Sequence, residues 1–520
     1  MTENFFSLLQ YCFSRKPDGC ALRLPDGEAY SYRQLDALSA RFALLLDSLG
    51  VAPGDRVLVQ TGKSAQAVGL YLGCLRSGAV YVPINTAYTT AEVAYFLADA
   101  TPKLFVCDVA AEPDLRKLAQ SGGREILVRS LGVRGEGSLL EDLKNFADVS
   151  AAPVAARTAG DIAAILYTSG TTGRSKGAML SHGNLAVSGV TLVDFWGWQD
   201  DDVLLHALPI FHVHGLFVAM HCAMLKATPM LFLPGFDADA VLECLPDATV
   251  MMGVPTFYTR LLAHPGLSIE RCAHMRLFIS GSAPLTGQTF EAFAQRTGHR
   301  ILERYGMSET MMNTSNPLHG ERVPGTVGFP LPGVALRIAA ESGELLAPGD
   351  VGVIEVKGPN VFTGYWQMPE KTAEDFRPDG FFITGDQAVM DEAGRVSIVG
   401  REKDMVISGG YNVYPKEVEL LLDEMPEVAE SAIIGVPHAD FGEGVVAVIV
   451  PAAADVTLEQ VDAALAGRIA RFKQPKRVVN LAELPRNAMG KVQKNQLRQD
   501  YAGLFESAGV TKSADTGASS

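Results

Sequence analysis

The sequence predicts an α/β fold with a large N-terminal domain of layered strands and helices and a small α+β C-terminal domain. Over residues 22–107 and again over 161–385, short apolar runs typical of strands alternate with segments whose apolar residues recur at helical spacing. Such alternation favours helices layered on a parallel sheet. A chain of 520 residues is also too long for one ordinary core, so more than one domain is expected.

The N-terminal elements follow one another closely along the chain. Residues 21–24 and 29–32 predict a β-hairpin, because Pro25, Asp26 and Gly27 between them are turn residues. The pattern then predicts a helix over 32–50, a strand over 57–60, a helix over 64–77, a strand over 80–84 and a turn over 85–88. Residues 120–160 are rich in Gly, Ala, Ser and charge, and we expect them to form a variable surface connection.

A short apolar strand over residues 162–166 leads into a loop, residues 167–177, that reads YTSGTTGRSKG. A helix is predicted after it, from about Asn184, with Ser181 and His182 at its start. Glycines let backbone N–H groups approach a phosphate closely, and hydroxyls and Lys176 add donors. The loop lacks the spacing of a P-loop NTPase. It therefore predicts either a different kind of phosphate site or a polar surface loop.

The predicted small domain begins near Gly400. A strand over 396–401 is followed by a helix over 415–424, strands over 431–436 and 444–450, and a helix over 458–472. The last residues are small and polar, which predicts disorder. We therefore divide the chain into residues 1–400, 401–505 and a tail, 506–520.

Composition limits the function classes. The net charge of −15 argues against general binding of nucleic acid or anionic membranes, although a local basic pocket remains possible. The seven cysteines are scattered, which suits a reducing compartment. The N-terminus has no basic region of the secretory type, and the most apolar segment, residues 216–225, is too short to span a bilayer. The cytoplasm is the expected location.

The loop at residues 168–177 resembles the AMP-binding signature of the acyl-adenylate-forming superfamily, which includes acyl-CoA synthetases, luciferases and adenylation domains of peptide synthetases. Further segments match the family in its order: SGSAP at 280–284, ERYGMSET at 303–310, TGD at 384–386, GREKD at 400–404 and PRNAMGK at 485–491. Within the superfamily the chain is most similar to malonyl-CoA synthetases, through residues 252–260, 303–304, 312–316, 409–415 and 472–476.

The resemblance implies a ligase that uses ATP, Mg²⁺ and CoA as co-substrate. Adenylation gives a carboxylate a good leaving group, AMP, which a thiol then displaces, so positioning and electrostatics dominate catalysis. The implied contacts to the β- and γ-phosphates are Thr168, Ser169, Gly170, Thr171, Thr172, Gly173 and Lys176. Those around the rest of the nucleotide are Gly281, Ser282, Ala283, Glu303, Arg304, Tyr305, Gly306, Met307, Ser308, Thr310, Asp386 and Arg401. Glu309 matches the Mg²⁺ ligand, a role suited to a carboxylate, and Thr310 the α-phosphate contact.

The resemblance also assigns roles near the C-terminus. Lys491 matches the lysine that bridges the acyl oxygen and the α-phosphate during adenylation, and Gly490 beside it gives the loop backbone freedom. Lys403 matches a hinge about which the small domain rotates between two half-reactions. After that rotation, Ser408, Gly409, Gly410 and Tyr411 are expected to open a channel for the CoA thiol.

The acid itself is predicted from Arg304, where many relatives carry glycine. A desolvated, unpaired guanidinium is costly beside an alkyl chain, whereas beside a second carboxylate it forms charge-assisted hydrogen bonds. We therefore predict that Arg304, helped by Ser282, binds the distal carboxylate of a short dicarboxylic acid. The alternatives are an Arg304 that points outward and pairs with Glu303, or a clamp made by Arg260 or Arg276.

The rest of the acyl pocket is expected to include His212, Val213, His214 and Met312. His212 and His214 could form a metal pair, but no third ligand lies nearby in sequence, so pocket-wall histidines are favoured. The predicted substrates are malonate, ATP and CoA, with no nucleic acid or membrane partner, and the oligomeric state stays open. Methylmalonate or another short or aryl acid, loading of a carrier protein, and non-catalytic nucleotide binding are the competing functions.

Overall fold

The computed structural model describes residues 3–121, 126–168, 175–408, 411–438, 441–487 and 490–505. These residues form two compact units. The large unit contains the described residues up to Thr384 together with Val389–Ser397, and the small unit contains Gly385–Ala388 and the described residues from Ile398 onward. Residues 385–388, which include Asp386, group with the small unit, which the sequence-based boundary at 400/401 does not anticipate. The predicted tail, 506–520, lies outside the described residues.

The described residues of the large unit include twelve α-helices. They are α1 (Phe5–Arg15), α2 (Tyr32–Ser48), α3 (Ala65–Ser77), α4 (Thr90–Ala100), α5 (Glu112–Ser121), α6 (Ser138–Leu143), α7 (His182–Phe195), α8 (Met220–Lys226), α9 (Ala238–Cys244), α10 (Pro255–Ala263), α11 (Gly287–Thr297) and α12 (Pro369–Glu374). A π-helix, His214–Ala219, runs directly into α8. Within the described residues, no helix is both long enough and apolar enough to cross a membrane.

A six-stranded sheet fills the first half of the large unit. Its strands are β3 (Arg56–Gln60), β4 (Val80–Pro83), β5 (Leu104–Cys107), β6 (Leu127–Ser130), β7 (Ile162–Thr168) and β8 (Lys176–Ser181), numbered after the hairpin strands β1 (Cys20–Arg23) and β2 (Ala29–Ser31). The order is β6-β5-β3-β4-β7-β8. All neighbours are parallel except β7 and β8, so the predicted parallel sheet is confirmed.

A nine-stranded sheet, in the order β15-β14-β13-β12-β11-β9-β10-β1-β2, forms the second layer. Its further strands are β9 (Leu204–His206), β10 (Met230–Phe232), β11 (Val250–Gly253), β12 (Leu277–Ser280), β13 (Leu302–Tyr305), β14 (Thr314–Ser315) and β15 (Phe329–Pro330). The strands from β13 to β1 are parallel, and the outer ones are antiparallel. Parallel strands place their carboxyl ends at one edge, where ligands of open α/β sheets bind.

The remaining strands form two smaller sheets. One has the order β16 (Ala335–Ala339), β17 (Gly352–Lys357), β18 (Phe382–Met390) and β19 (Val396–Arg401). The small unit contains β20 (Val406–Ser408), β21 (Tyr411–Val413), β22 (Val428–His438), β23 (Gly442–Pro451) and β24 (Arg477–Asn480), with α13 (Pro415–Leu422), α14 (Leu458–Leu465) and α15 (Lys494–Asp500). Buried aliphatic residues of β22, β23 and α13 form its core.

Three local expectations are corrected. Residues 120–160 are not simply a surface connection, because β6 pairs with β5 within the sheet and α6 follows it. The segment after the glycine-rich loop is a strand, β8, before the predicted helix α7 begins. The predicted helix over 458–472 ends at Leu465, and Gly467 then adopts a left-handed φ of 74°, which stops a helix.

Candidate active site

Arg304 is a charged residue at the carboxyl edge of the nine-stranded sheet. It lies on β13 and is 3% exposed. Its Nε and Nη2 atoms are buried and have no hydrogen-bond partner among the described residues. Burial lowers the pKa of Arg304 to about 10, so the guanidinium still carries its charge at neutral pH. A buried cation with unused donors is costly, and an anionic ligand would satisfy it.

Gly281, directly after β12, makes room for this guanidinium. A Cβ atom at position 281 would lie 2.4 Å from Cζ of Arg304 and 2.5 Å from its Nη1. These separations are too short for non-bonded atoms. A Cβ at position 281 would therefore force the Arg304 guanidinium to shift, and glycine leaves room for it without an unusual backbone angle.

The alternatives to Arg304 are placed elsewhere. Arg304 is buried and not outward-pointing, while the neighbouring Glu303 accepts a hydrogen bond from the backbone N–H of Leu285 at 3.2 Å. Arg276 forms an ion pair with Asp202 at 2.6 Å, and Arg260 is exposed. Of the arginines considered from sequence, Arg304 is the one with buried, unsatisfied donors.

Ser282 and His214 lie beside this group. Ser282 adopts a left-handed φ of 72°, a strained conformation that is uncommon for a residue with a side chain. Its Oγ lies 3.2 Å from Nδ1 of His214. Burial, and next the charge of Arg304, lower the pKa of His214 well below its usual value, so the ring is neutral. Its Nε2 is buried without a hydrogen-bond partner in the described part of the chain.

The segment after β13 turns tightly. A Cβ atom on Gly306 would lie 1.9 Å from the carbonyl oxygen of Met311, so only glycine fits there. Met311 has a left-handed φ of 54°. Of the predicted nucleotide and acid contacts in this region, the buried ones are Val213, Tyr305 and Met312, and the partly buried ones are His212, Ala283, Met307 and Ser308.

Glu309 and Thr310 follow on the same turn. Thr310 is fully buried, and its Oγ1 has no hydrogen-bond partner among the described residues. Glu309 is also buried, and its Oε1 accepts hydrogen bonds from the hydroxyls of Tyr365 at 3.2 Å and Thr168 at 3.4 Å. Glu309 thus joins the end of β7 to the segment that follows β13.

The glycine-rich loop connects two paired strands. Thr168, the last residue of β7, is the register partner of Lys176 on β8. The Lys176 ammonium lies 3.5 Å from Asp375 and 4.1 Å from the centre of the Tyr365 ring. Sequence reasoning missed Tyr365 and Asp375, since no motif marks them. The predicted phosphate contacts Ser169, Gly170, Thr171, Thr172 and Gly173 lie outside the described residues.

Glu309 is the residue that could hold Mg²⁺. The described residues contain no group of three or more His, Cys, Asp or Glu side chains arranged to bind a metal, so the His212–His214 pair gains no further ligand. Mg²⁺ commonly uses one or two carboxylates, substrate phosphates and water. A buried carboxylate flanked by two hydroxyls fits that ligand set, with the other ligands supplied by a nucleotide and water.

The small unit carries the remaining predicted site residues. Asp386 is buried and pairs with Nε of Arg401 at 2.8 Å. Lys403 is exposed in a 3₁₀ turn, Glu402–Asp404. Ser408 is buried, whereas Tyr411 is 60% exposed and stacks on Phe472 at a centroid distance of 4.7 Å. Gly409 and Gly410 lie outside the described residues.

Lys491 lies in an anchored loop of the small unit. Asn487 exchanges hydrogen bonds with Lys491 through its backbone N–H and its side-chain oxygen, each at 3.0 Å, and Gly490 has a left-handed φ of 71°. Ion pairs lie on both sides of the loop, Arg486 with Glu430 and Lys494 with Glu419. The backbone around Lys491 is therefore held from β22 and α13.

Comparison with known proteins decides the family. The model described as "AMP-binding enzyme" matches residues 9–366, and the model described as "AMP-binding enzyme C-terminal domain" matches residues 417–491. The chain belongs to the AMP-binding enzyme family. This confirms the resemblance read from the motifs and the predicted fold, a large α/β domain with a small C-terminal one.

Several members of the AMP-binding family are similar over most of their length. A malonate–CoA ligase of Arabidopsis thaliana is 34% identical, over 91% of this chain and 85% of the relative. A mitochondrial malonate–CoA ligase of Mus musculus is 36% identical, over 81% of this chain and 77% of the relative. The crystal structure of ATP-bound MatB from Rhodopseudomonas palustris is 53% identical with a TM-score of 0.94, covering 97% of this chain and 100% of that one.

Replacing Gly281 by alanine tests the packing of Arg304. The new Cβ would force the guanidinium to move, so we expect AMP formation with the preferred acid to fall about 10–100-fold, the scale of a misplacement near the reacting group. Gly160→Ala is the matched control, because a Cβ there meets no atom within 4 Å. AMP release and thermal melting are measured for both variants. A Gly281→Ala enzyme with unchanged activity would contradict the described packing.

Proposed function

We propose that this protein is an acid–thiol ligase that forms malonyl-CoA from malonate, CoA and ATP through a malonyl-adenylate, releasing AMP and pyrophosphate. The observation that carries the proposal is the buried guanidinium of Arg304, whose Nε and Nη2 atoms have no hydrogen-bond partner among the described residues. In a family that activates carboxylates, one carboxylate of the substrate must face ATP. A dicarboxylic acid brings a second one for Arg304.

Electrostatics favour this acid over a monocarboxylic one. An alkyl or aryl tail beside Arg304 would leave its buried donors unsatisfied, at a cost of about 1–3 kcal/mol or more for a charged group. A carboxylate can instead accept two parallel hydrogen bonds from a guanidinium. His214 is neutral, because burial and Arg304 lower its pKa, so it neither adds a second charge nor repels Arg304. The Nε2 of His214, which no described residue contacts through a hydrogen bond, and the Ser282 hydroxyl can complete the polar contacts.

The relatives support the same substrate. The Arabidopsis thaliana and Mus musculus relatives are described as malonate–CoA ligases, and the MatB structure contains ATP. Identity to these proteins extends over both units of this chain. We transfer malonate, ATP and CoA to this protein as part of the proposal.

The residues of the large unit would prepare the adenylation step. The buried Thr310 hydroxyl, which has no partner in the described ranges, would donate to the α-phosphate as its charge develops. Lys176 and the loop after Thr168 would hold the outer phosphates, and Glu309 would hold Mg²⁺. When bound, that ion would offset phosphate charge as the acyl oxygen attacks.

The small unit would supply Lys491, Asp386 and Arg401. Asp386 would accept hydrogen bonds from the ribose hydroxyls, with Arg401 at 2.8 Å orienting it. Lys491 would bridge the acyl oxygen and the α-phosphate during adenylation. For thioester formation, rotation at Lys403 would bring the segment of Ser408 and Tyr411 to the site and admit CoA. All seven cysteines are free thiols, which suits a reducing compartment, and we propose the cytoplasm.

An acid panel tests the proposed function. AMP release is measured with ATP, Mg²⁺ and CoA for malonate, methylmalonate, acetate, propionate and benzoate. We expect kcat/KM for malonate to exceed that for acetate and propionate by about 10⁴, because a site built for a polar group rejects analogues that lack it. Equal or better use of acetate, propionate or benzoate would overturn the proposal, and the methylmalonate value defines tolerance for an α-substituent.

Arg304→Met separates the acid clamp from general catalysis. Methionine keeps an apolar stem but removes the charge, so kcat/KM for malonate should fall about 10²–10³-fold, the cost of losing one partner of a buried charge pair. The KM for ATP should change much less. Arg260→Met, at an exposed position, is the control. Full malonate activity in Arg304→Met would show that Arg304 does not bind the acid.

Lys491→Ala tests the division of labour between half-reactions. Adenylation of malonate should fall about 10²–10³-fold, the usual effect of removing one charge-stabilising donor. Conversion of supplied malonyl-adenylate to malonyl-CoA should be largely retained. Each half-reaction is measured separately, with Lys117→Ala on an exposed helix surface as the control. Equal losses in both half-reactions would refute the assigned role.

A further inference from the structure

Lys63, between β3 and α3, is a lysine that none of the sequence motifs includes, and burial lowers the pKa of its amino group well below the usual value. Its ammonium donates hydrogen bonds to Nδ1 of His206 at 2.7 Å, to the His206 carbonyl at 2.8 Å and to the Leu208 carbonyl at 3.0 Å. These contacts use all three donors of an ammonium. The ammonium also lies 4.3 Å from the centre of the Phe232 ring. Within the described residues, Lys63 forms no ion pair with a carboxylate.

His206 connects Lys63 to Gly215 in the following π-helix. Its Nε2 lies 2.9 Å from the carbonyl oxygen of Gly215. Because a carbonyl only accepts, Nε2 carries the ring proton, and Nδ1 is left as the acceptor for Lys63. Burial, and next the charge of Lys63, lower the pKa of His206 well below its usual value, in agreement with a neutral ring in this tautomer.

The two contacts close a loop that carries the acid-facing residues. The loop starts at His206, the last residue of β9, and returns to Gly215, in the first turn of the π-helix. Between these ends lie Val213 and His214, both buried. A Cβ on Gly215 would be 2.1 Å from the carbonyl oxygen of Pro209, so the loop folds tightly on itself. Lys63 binds its start, and His206 joins that start to its end.

We infer that Lys63 and His206 form a clasp that positions Val213 and His214 in the acid subsite, which makes Lys63 a positioning residue for acid binding. Lys63 touches backbone carbonyls and His206, and it acts on the acid through the loop they form. The same loop could be closed by apolar packing without burying an ammonium, which is costly. The three hydrogen bonds of Lys63 fix the positions of the His206 and Leu208 carbonyls and of the His206 ring. Apolar packing would not fix these positions.

The clasp acts next to Arg304. Burial, and next the charge of Arg304, lower the pKa of His214, so the His214 ring lies within electrostatic reach of that guanidinium. A loop that relaxed would move the Nε2 of His214, the buried atom with no described partner, away from the acid. The nucleotide contacts Thr310 and Glu309 lie on the segment after β13 and do not belong to this loop. Loss of the clasp should therefore affect the acid more than ATP.

The test compares Lys63→Met, His206→Gln and the double variant with the wild-type protein. We expect Lys63→Met to raise KM for the preferred acid about 10–100-fold, the scale of a small misplacement, with KM for ATP within about twofold. Lys63→Gln retains a donor and should recover part of the loss. The double variant should be no worse than the poorer single variant, because residues that act as one unit are non-additive. Lys117→Met, at a side chain 78% exposed, is the control.

The outcomes separate this inference from the proposed function, on which it rests for the identity of the acid. Wild-type activity across the acid panel tests malonate, and the KM comparison uses whichever acid the wild-type enzyme prefers. A lower melting temperature or kcat with unchanged KM for that acid would overturn the clasp and leave Lys63 as a structural residue. Equal rises in KM for acid and ATP, or additive effects in the double variant, would also overturn it. If Lys63→Met does not fold, Lys63→Gln and His206→Gln give the same comparison.

Discussion

The buried guanidinium of Arg304, which the described part of the chain leaves incompletely hydrogen-bonded, is the constraint on which the rest of the site depends. A desolvated charge of this kind destabilises the protein unless a ligand compensates for it. Gly281 leaves the space the guanidinium occupies, and Glu303, its neighbour on β13, bonds the Leu285 backbone instead of Arg304. In the proposed function, the second carboxylate of malonate would offset this cost.

Sheet topology brings the other groups to the same place. The parallel strands β9, β11, β12 and β13 end at one edge, so residues far apart in sequence meet there. Ser282 follows β12, Thr310 follows β13, and the loop after β9 brings His214 to Ser282. Two of the three imidazoles of that loop, those of His206 and His214, are held neutral by burial and neighbouring positive charge. The chemistry of the site therefore rests on fixed donors and few charges, as expected where positioning dominates catalysis.

The sequence predicted what depends on local patterns. The hairpin of β1 and β2, helices α2, α3 and α7, and the buried strand β7 follow from periodicity and turn residues. The serine predicted at the start of α7, Ser181, accepts a hydrogen bond from the backbone N–H of Asn184. Strand β6 was missed because its pairing with β5 across helix α5, rather than its own composition, defines it. Strand β8 was missed because it begins within the glycine-rich segment and is defined by its antiparallel pairing with β7. The predicted helix over 458–472 was too long, because apolar residues continue past Leu465. The left-handed backbone at Gly467 ends α14 earlier.

The sequence also predicted only those parts of the site that a local motif marks. Arg304 could be singled out because a charge interrupts a motif, and the burial of that charge is what the structure adds. Tyr365, Asp375 and Lys63 carry no motif. They are recognised only through contacts with residues distant in sequence: Glu309 and Lys176 for Tyr365, Lys176 for Asp375, and His206 for Lys63. The most direct measurement is a crystal structure of the protein with malonate and a non-hydrolysable ATP analogue. The account predicts the second carboxylate of malonate at about 3 Å from Nε or Nη2 of Arg304, and a carboxylate bound elsewhere with the guanidinium turned away from the α-phosphate would contradict it.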